Sequence, residues 1–369
     1  MGKKETPIYV FSQFPQSDKM KTGGQARLKG LFGELLKTFS NVNHICVYGN
    51  HETIRKRNIL GNISETWIPT NRGRNVEILN KNFALYNEDT LDLFNLSQNK
   101  HLIEFLKNIS TENSIMIANH FWFGNIMENS TWKESYLFSH NFESDLVLPI
   151  HFDQNFIDFY RQQETINTNF FDKIICCSET DKQKFFECIN NTKIDVIVCR
   201  NGSFILPEET AISQRKEKKC LYIGSHWPKN VESVTKIIEH GSNFYKNYEI
   251  NLVGSISNAF PQNRDPNLIF HGILSEDKLI ELAEKCSFAI NPVFSGGGSN
   301  VKNADYLALG LPVLTTNFGL RGYEQFAEFF EIRELPSWGQ FQKQKIPISV
   351  KQKMLWNFCL QDFINIIET

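Results

Sequence analysis

FSGGGSNVKNADYLALGLPVLTT, residues 294 to 316, is the most informative stretch of this chain. An apolar run, SFAINPV (287 to 293), leads into it, and PVLTT (312 to 316) closes it. Between them the spacing predicts a helix from Ser299 to Leu309, so the whole reads as a strand, loop, helix and strand, one parallel βαβ unit. Three consecutive glycines after the strand allow the backbone to approach a ligand closely, and Ser299 is placed to cap the helix. The positive helix end and its N–H groups then face the loop, an arrangement suited to a phosphate. Lys302, one turn in, adds a full positive charge, and Asp305, three residues beyond, is placed to accept hydrogen bonds from a ribose. A glycine-rich turn with a capped helix and a surface lysine would use the same residues without any ligand.

The same alternation extends in both directions. Upstream, strands are expected at 220–225, 248–255 and 267–272, with helices near 230–240 and from Ser275 to Cys286. Further back lie apolar runs at 8–14, 44–50, 114–120, 135–141, 173–179 and 195–201. The first helix is expected from Ala26 to Phe39, where Leu28, Leu31, Phe32, Leu35, Leu36 and Phe39 form one apolar stripe. Residues 205 to 219, ILPEETAISQRKEKK, lose the period and carry charges and a proline, as a solvated connector does. Two doubly wound α/β domains follow, one over 1–204 and one over 220–349, joined by 205–219. A final helix is expected within 350–369, placed to pack back on the first domain. No internal repeat is visible.

At 369 residues the chain suits two domains of ordinary size. Its 39 Lys+Arg against 41 Asp+Glu disfavour a nucleic-acid binder driven by bulk charge. The eight cysteines are scattered without ligand spacing, so they read as reduced thiols, and no metal site is expected. No stretch approaches the ~20 apolar residues of a membrane span, and a cytoplasmic protein is expected. The basic amphipathic helix at 26–39 is compatible with a peripheral contact at the inner face of a membrane, although packing on a sheet is the commoner fate.

GGGSNVKNADYLALGLPV resembles the nucleotide-sugar signature of GT-B glycosyltransferases, particularly family 4 (group 1). Gly296, Gly298, Ser299, Val301, Lys302, Asp305, Leu307, Ala308, Gly310, Pro312 and Val313 fall in register with it. YLFSHNFE, FDKIICCSETDKQKF, VIVCRNGS, LYIGSHWPKN and NLIFHGIL resemble further family segments in the same order. The resemblance implies two Rossmann-like domains facing a central cleft. It also implies metal-independent transfer of a sugar from a nucleoside diphosphate to an acceptor hydroxyl with retention, and no cofactor beyond that donor. By this resemblance Gly297, Gly298, Ser299, Asn300, Lys302 and Asp305 bind the donor, with Lys229 of SHWPKN beside the diphosphate. Gly23 and Gly24 of KTGGQAR match the family's N-terminal glycine loop, and His140 matches the residue that contacts the transferred sugar. Glu143 is placed to orient the His140 ring, and His120 in ANHFWFGN is a second candidate. Lys302 and His140 are thus the expected catalytic groups.

Two departures stand out. Asp305 replaces the second glutamate of the family's acidic pair, and Gly297 occupies the position of the first. The loop after Gly224 offers only Lys229 where relatives often place Arg and Lys, which leaves Lys302 more of the charge to neutralise. Family habits point to surface polysaccharide or glycolipid assembly, with a glycan or glycolipid acceptor. Rival readings are a sugar-nucleotide epimerase on the same fold and a non-catalytic transferase-like partner subunit.

Overall fold

The computed structural model describes residues 2–16, 23–48, 52–59, 63–70, 94–146, 154–189, 193–206, 216–240, 247–262, 265–295, 297–334 and 345–369. Most of the expected connector (207–215), Gly296 and the Lys21-Thr22 start of KTGGQAR fall outside them. The chain forms two units, Met1–Cys199 with Asp362–Thr369, and Arg200–Gln361. The division therefore falls at residue 199, ahead of the polar stretch, and the strand that opens the second sheet begins at Lys216, inside it. Loss of apolar period marks where burial ends, whereas a unit boundary is set by where packing contacts cease.

The first unit is built on a sheet of β1 (Ile8–Ser12), β2 (Val42–Val47), β3 (Arg55–Ile59), β4 (Ile63–Ile68), β5 (Ile115–Ala118), β6 (Glu134–Phe138), β7 (Lys173–Cys176) and β8 (Asp195–Val198). Its order is β3-β4-β2-β1-β5-β6-β7-β8, all neighbours parallel except the β3–β4 pair. The β3–β4 hairpin has no counterpart in the sequence reading. RKRNI is almost wholly exposed and edges the sheet with charge, which blunts pairing with another chain. ISETWI carries polar residues on buried positions, so neither strand shows an apolar run.

Helix α1 (Gly23–Thr38) begins earlier than the apolar stripe implies. Leu28, Leu31, Phe32 and Leu35 are fully buried, as is Phe39 just beyond the helix. Each such side chain contributes about 1.5–3 kcal/mol of burial. Gly24 lies inside the first turn instead of in a preceding turn, and a Cβ there would stand 2.9 Å from the Phe14 ring. Arg27 on the same helix is buried with its guanidinium 4.0 Å above the Phe138 ring and donating to the Cys199 carbonyl at 2.9 Å. Phe121, Trp122 and Phe123 belong to the core of this unit.

The second unit is a wholly parallel sheet of β9 (Lys216–Ile223), β10 (Glu249–Val253), β11 (Leu268–Gly272), β12 (Cys286–Asn291), β13 (Val313–Thr315) and β14 (Phe330–Ile332), in the order β11-β10-β9-β12-β13-β14. Every residue of β12 is buried, as a central parallel strand covered on both faces requires. The sequence pattern missed only β14 here, a strand of three residues.

In place of one helix over 350–367 the chain makes three short ones, Ile348–Gln352, Trp356–Cys359 and Gln361–Glu368. The last clusters with the first unit. There Phe363 stacks on Phe138 at 5.4 Å and meets Tyr136 edge-on. No helix among the described residues is long and apolar enough to cross a membrane. Both units are doubly wound α/β structures.

Candidate functional site: two strand-end clusters

In the second unit the strand order reverses between β9 and β12. From β9 the chain proceeds outward through β10 and β11, and from β12 it proceeds the other way through β13 and β14. Loops leaving neighbouring strands in opposite directions open a crevice at their carboxyl ends, where open α/β sheets take their ligands. The loops there are Gly224 onward and Pro292 onward, so the sheet delivers Ser295, residues 297–300 and SHWPKN to one place. Gly298 adopts φ +64°, a conformation that favours glycine.

After α2 (Lys100–Lys107), α3 (Gln154–Thr168) and α4 (Glu179–Cys188) of the first unit, helix α5 (Pro228–His240) follows the first of these loops, and α7 (Val301–Ala308), which comes after α6 (Glu276–Glu284), follows the second. Lys302 on α7 donates to Asn230 Oδ1 at 3.0 Å and lies 4.5 Å above the Tyr222 ring. Burial pushes its ammonium down to about 7. Lys229, on the first turn of α5, donates to Ser295 Oγ at 2.7 Å. Two lysines from separate helices are thus tied to the two loops of one crevice. Asn230 and Tyr222 both lie in LYIGSHWPKN, but the pattern there did not single either out, because each is a polar tip on an otherwise ordinary helix or strand.

Ser299 does not cap α7. The helix starts after Asn300, and no side chain caps it. Ser299 Oγ instead accepts from Asn201 Nδ2 at 2.7 Å. Asn300 turns its amide to the Gly319 carbonyl at 3.0 Å. Long-range partners outcompete the local cap at both positions. Asp305 accepts from Ser203 Oγ at 2.6 Å, and burial raises its carboxyl to about 6. Asn201 and Ser203 lie in VIVCRNGS, so that segment supports the α7 residues directly. Gly297 lies in the same loop, with no carboxylate at that position.

The first unit has its own reversal, between β1 and β5. Asn119 and His120 follow β5, Phe14 follows β1, and His140 follows neighbouring β6. His140 Nε2 meets Asn119 Oδ1, and Phe14 stands edge-on to the ring at 6.0 Å. His120 stacks on Trp122 at 4.3 Å, with the His140 ring 5.2 Å away. Burial holds His140 well below its ordinary range, helped by His120 and Arg27, so it is neutral at pH 7. Burial also brings His120 down to about 3.

Glu143 does not orient His140. Its Oε1 stands 3.7 Å from His120 Nε2, and Asn119 fills the role beside His140. Burial, reinforced by the nearby Glu164 carboxylate, raises Glu143 to about 8. Glu164 is raised to about 7 by burial, although the Ser144 hydroxyl and the Glu143 and Ser144 N–H groups all donate to it. Carboxyls that bind protons more tightly when folded stabilise below the unfolded carboxylate range, and that contribution is lost as pH rises through their folded values. The first unit should therefore lose stability as pH rises from about 4.5 to 8. Glu143→Gln should flatten this decline in melting temperature against pH. An unchanged slope would show that Glu143 ionises normally.

No family model matches the sequence, and no curated protein sequence matches it either. Solved structures do. An α,α-trehalose-phosphate synthase (UDP-forming) from Burkholderia vietnamiensis matches with a TM-score of 0.66 at 9% identity, covering 99% of each chain. A sucrose-phosphate synthase from Thermosynechococcus elongatus matches with 0.65 at 10% identity, over 99% of this chain and 98% of its own. The trehalose-6-phosphate protein from E. coli bound with UDP-2-fluoro glucose matches with 0.61 at 11%, over 99% of both. At these identities the likeness establishes the fold.

Proposed function

We propose that the protein is a glycosyltransferase that moves a sugar from a nucleoside diphosphate to an acceptor hydroxyl, with retention and without a metal. The observation that carries this is the meeting of Lys229, Lys302 and the glycine loop at the strand reversal of the second unit. As the glycosidic bond breaks, negative charge builds on the diphosphate. Ammonium groups and loop N–H donors already in place stabilise that charge without reorganising. Lys302, partly discharged by its own burial, takes up a proton as the diphosphate arrives. Gly297, Gly298, Ser299 and Asn300 line the donor's phosphates in this reading. Gly23, Gly24 and His140 of the first unit act on its phosphate and sugar. The family-4 motif supports the family, retention and an acceptor of the glycan or glycolipid kind, as in surface-polysaccharide assembly. The names of the structural neighbours make a UDP-sugar the first donor to try.

A thermal-shift screen of UDP-, GDP-, CMP- and dTDP-sugars tests this, since a ligand at 100 times its dissociation constant adds about 2.7 kcal/mol. One nucleotide class should shift the melting temperature, and incubation with it should release the free diphosphate. Silence from every nucleotide sugar would sink the proposal.

For Asp305 we propose a hydrogen bond to the ribose. Asp305→Asn should raise the donor dissociation constant by an interaction of about 1.5–3 kcal/mol, with a smaller effect on turnover. Calorimetry on the variant decides it. Unchanged affinity with a collapsed melting temperature makes Asp305 a structural partner of Ser203.

A further inference from the structure

Ser12, His44 and Glu65 form a continuous hydrogen-bonded chain across β1, β2 and β4, and all three are wholly buried. Ser12 Oγ stands 2.7 Å from His44 Nε2, and His44 Nδ1 stands 2.8 Å from Glu65 Oε2. Burial keeps His44 neutral, so its Nδ1–H is donated to Glu65 and its Nε2 accepts from the Ser12 hydroxyl. Burial pushes Glu65 up, but His44, the Gln16 N–H and the Trp67 indole outweigh it and hold the carboxyl down at about 2. It is charged at any ordinary pH. The geometry resembles that of a hydrolytic triad, yet Ser12 has no exposed surface and also accepts the Phe14 N–H at 3.1 Å. A hydroxyl enclosed in this way is an anchor.

What it anchors is the chain leaving β1. The Gln16 N–H donates to Glu65 Oε2 at 2.9 Å. The Gln16 carbonyl accepts from Arg57 Nη2 at 2.5 Å, and Arg57 Nε in turn donates to Glu65 Oε1 at 2.5 Å. The Trp67 indole donates to the same oxygen at 2.6 Å, beneath the Arg57 guanidinium. Gln25 Nε2 reaches the Pro15 carbonyl at 3.3 Å. Residues 12 to 16 are thus held by the Ser12 hydroxyl before Phe14 and by main-chain groups of Pro15 and Gln16 after it. The Phe14 ring is pressed against Gly24 and stands 5.4 Å from His120 and 6.0 Å from His140. The β3–β4 hairpin, otherwise a polar edge, supplies Arg57, Glu65 and Trp67.

We propose that Glu65 is a positioning residue for sugar transfer: with His44, Ser12 and Arg57 it fixes the 12–16 segment so that Phe14 sets the attitude of the His140 and His120 rings. It acts through Phe14 and touches no substrate. The proposal rests on the reading of His140 as the group that contacts the transferred sugar. Small errors in placing a reacting group cost a large factor in rate. Loss of the anchor therefore lowers turnover while leaving nucleotide binding by the second unit unchanged.

The test uses the full chain with Glu65→Gln, which removes the charge, and Ser12→Ala, which removes one oxygen and keeps the fold if the first variant does not. Histidine ring C–H resonances, turnover and the dissociation constant of the nucleoside diphosphate are measured on each variant that retains a cooperative melt. The expected result is a moved His140 resonance, turnover lower on the order of 10-fold, and an unchanged diphosphate constant. Combining either change with Phe14→Ala should add little further loss, because both act through the same ring. Histidine resonances that keep their wild-type positions overturn the proposal. So does a full second loss on adding Phe14→Ala. If the resonances move but turnover does not, and His140→Ala is also fully active, it is the catalytic reading of His140 that fails while the mechanical link stands.

Discussion

Lys302→Ala is expected to lower turnover on the order of 100-fold while leaving the fold intact, since it removes a preorganised cation from developing diphosphate charge. The ammonium has Asn230 Oδ1 at 3.0 Å and the Tyr222 face, and burial has drawn it down to about 7. A desolvated cation over an aromatic ring contributes about 2 kcal/mol, and the cost of burying the ammonium offsets part of it, so the variant should melt within a few degrees of wild type. The same burial gives the second half of the expectation. A bound diphosphate favours the charged lysine, so binding takes up a proton once the pH exceeds the free value. Affinity for the nucleoside diphosphate should therefore weaken between pH 7 and 9, above the range where Asp305 titrates. In Lys302→Arg, which stays charged, this dependence should vanish. Full transfer by the alanine variant would falsify the phosphate assignment.

His140→Ala is the second large expected effect: a strong fall in turnover with nucleoside diphosphate affinity nearly unchanged. Binding energy that appears only as the reaction proceeds lowers turnover when lost and leaves ground-state affinity alone. His140 is neutral and offers Nε2–H to Asn119 Oδ1, which leaves Nδ1 as an acceptor. A neutral ring also means that turnover should show no titration attributable to His140 between pH 6 and 8. The competing expectation is a histidine that merely ties β6 to β5 through Asn119. In that case the variant melts earlier yet turns over normally, and measuring rate, diphosphate affinity and melting temperature on one preparation separates the two.

Much of the fold could be read along the chain because its signals are local. Short apolar runs located eleven of the strands, and the stripe from Leu28 to Phe39 located α1. The glycine loop and Lys302 were visible for the same reason, since the strand, turn and helix that make them are contiguous. The β3–β4 hairpin was invisible because its buried polar residues are satisfied by partners remote in sequence, which hides the apolar alternation. Glu65 is the plainest case. In the sequence it is an acidic residue in a mixed stretch, and only the pairing of β2 with β4 places it beside His44.

The sequence by itself determined the βαβ rhythm and the glycine-rich strand-to-helix loop that carries Lys302. Only the tertiary structure decided which groups work together. Lys302 found Asn230, 72 residues away, and Asp305 found Ser203, 102 residues away. Glu143, three residues from His140, went to His120 instead. Ser299 gave up its cap for Asn201. The physical reason is the same in each instance. Apolar periodicity specifies which face a residue turns to the core, whereas the partner of a buried polar atom depends on strand order. Strand order is set by the packing of whole elements and leaves no trace in any short stretch of sequence.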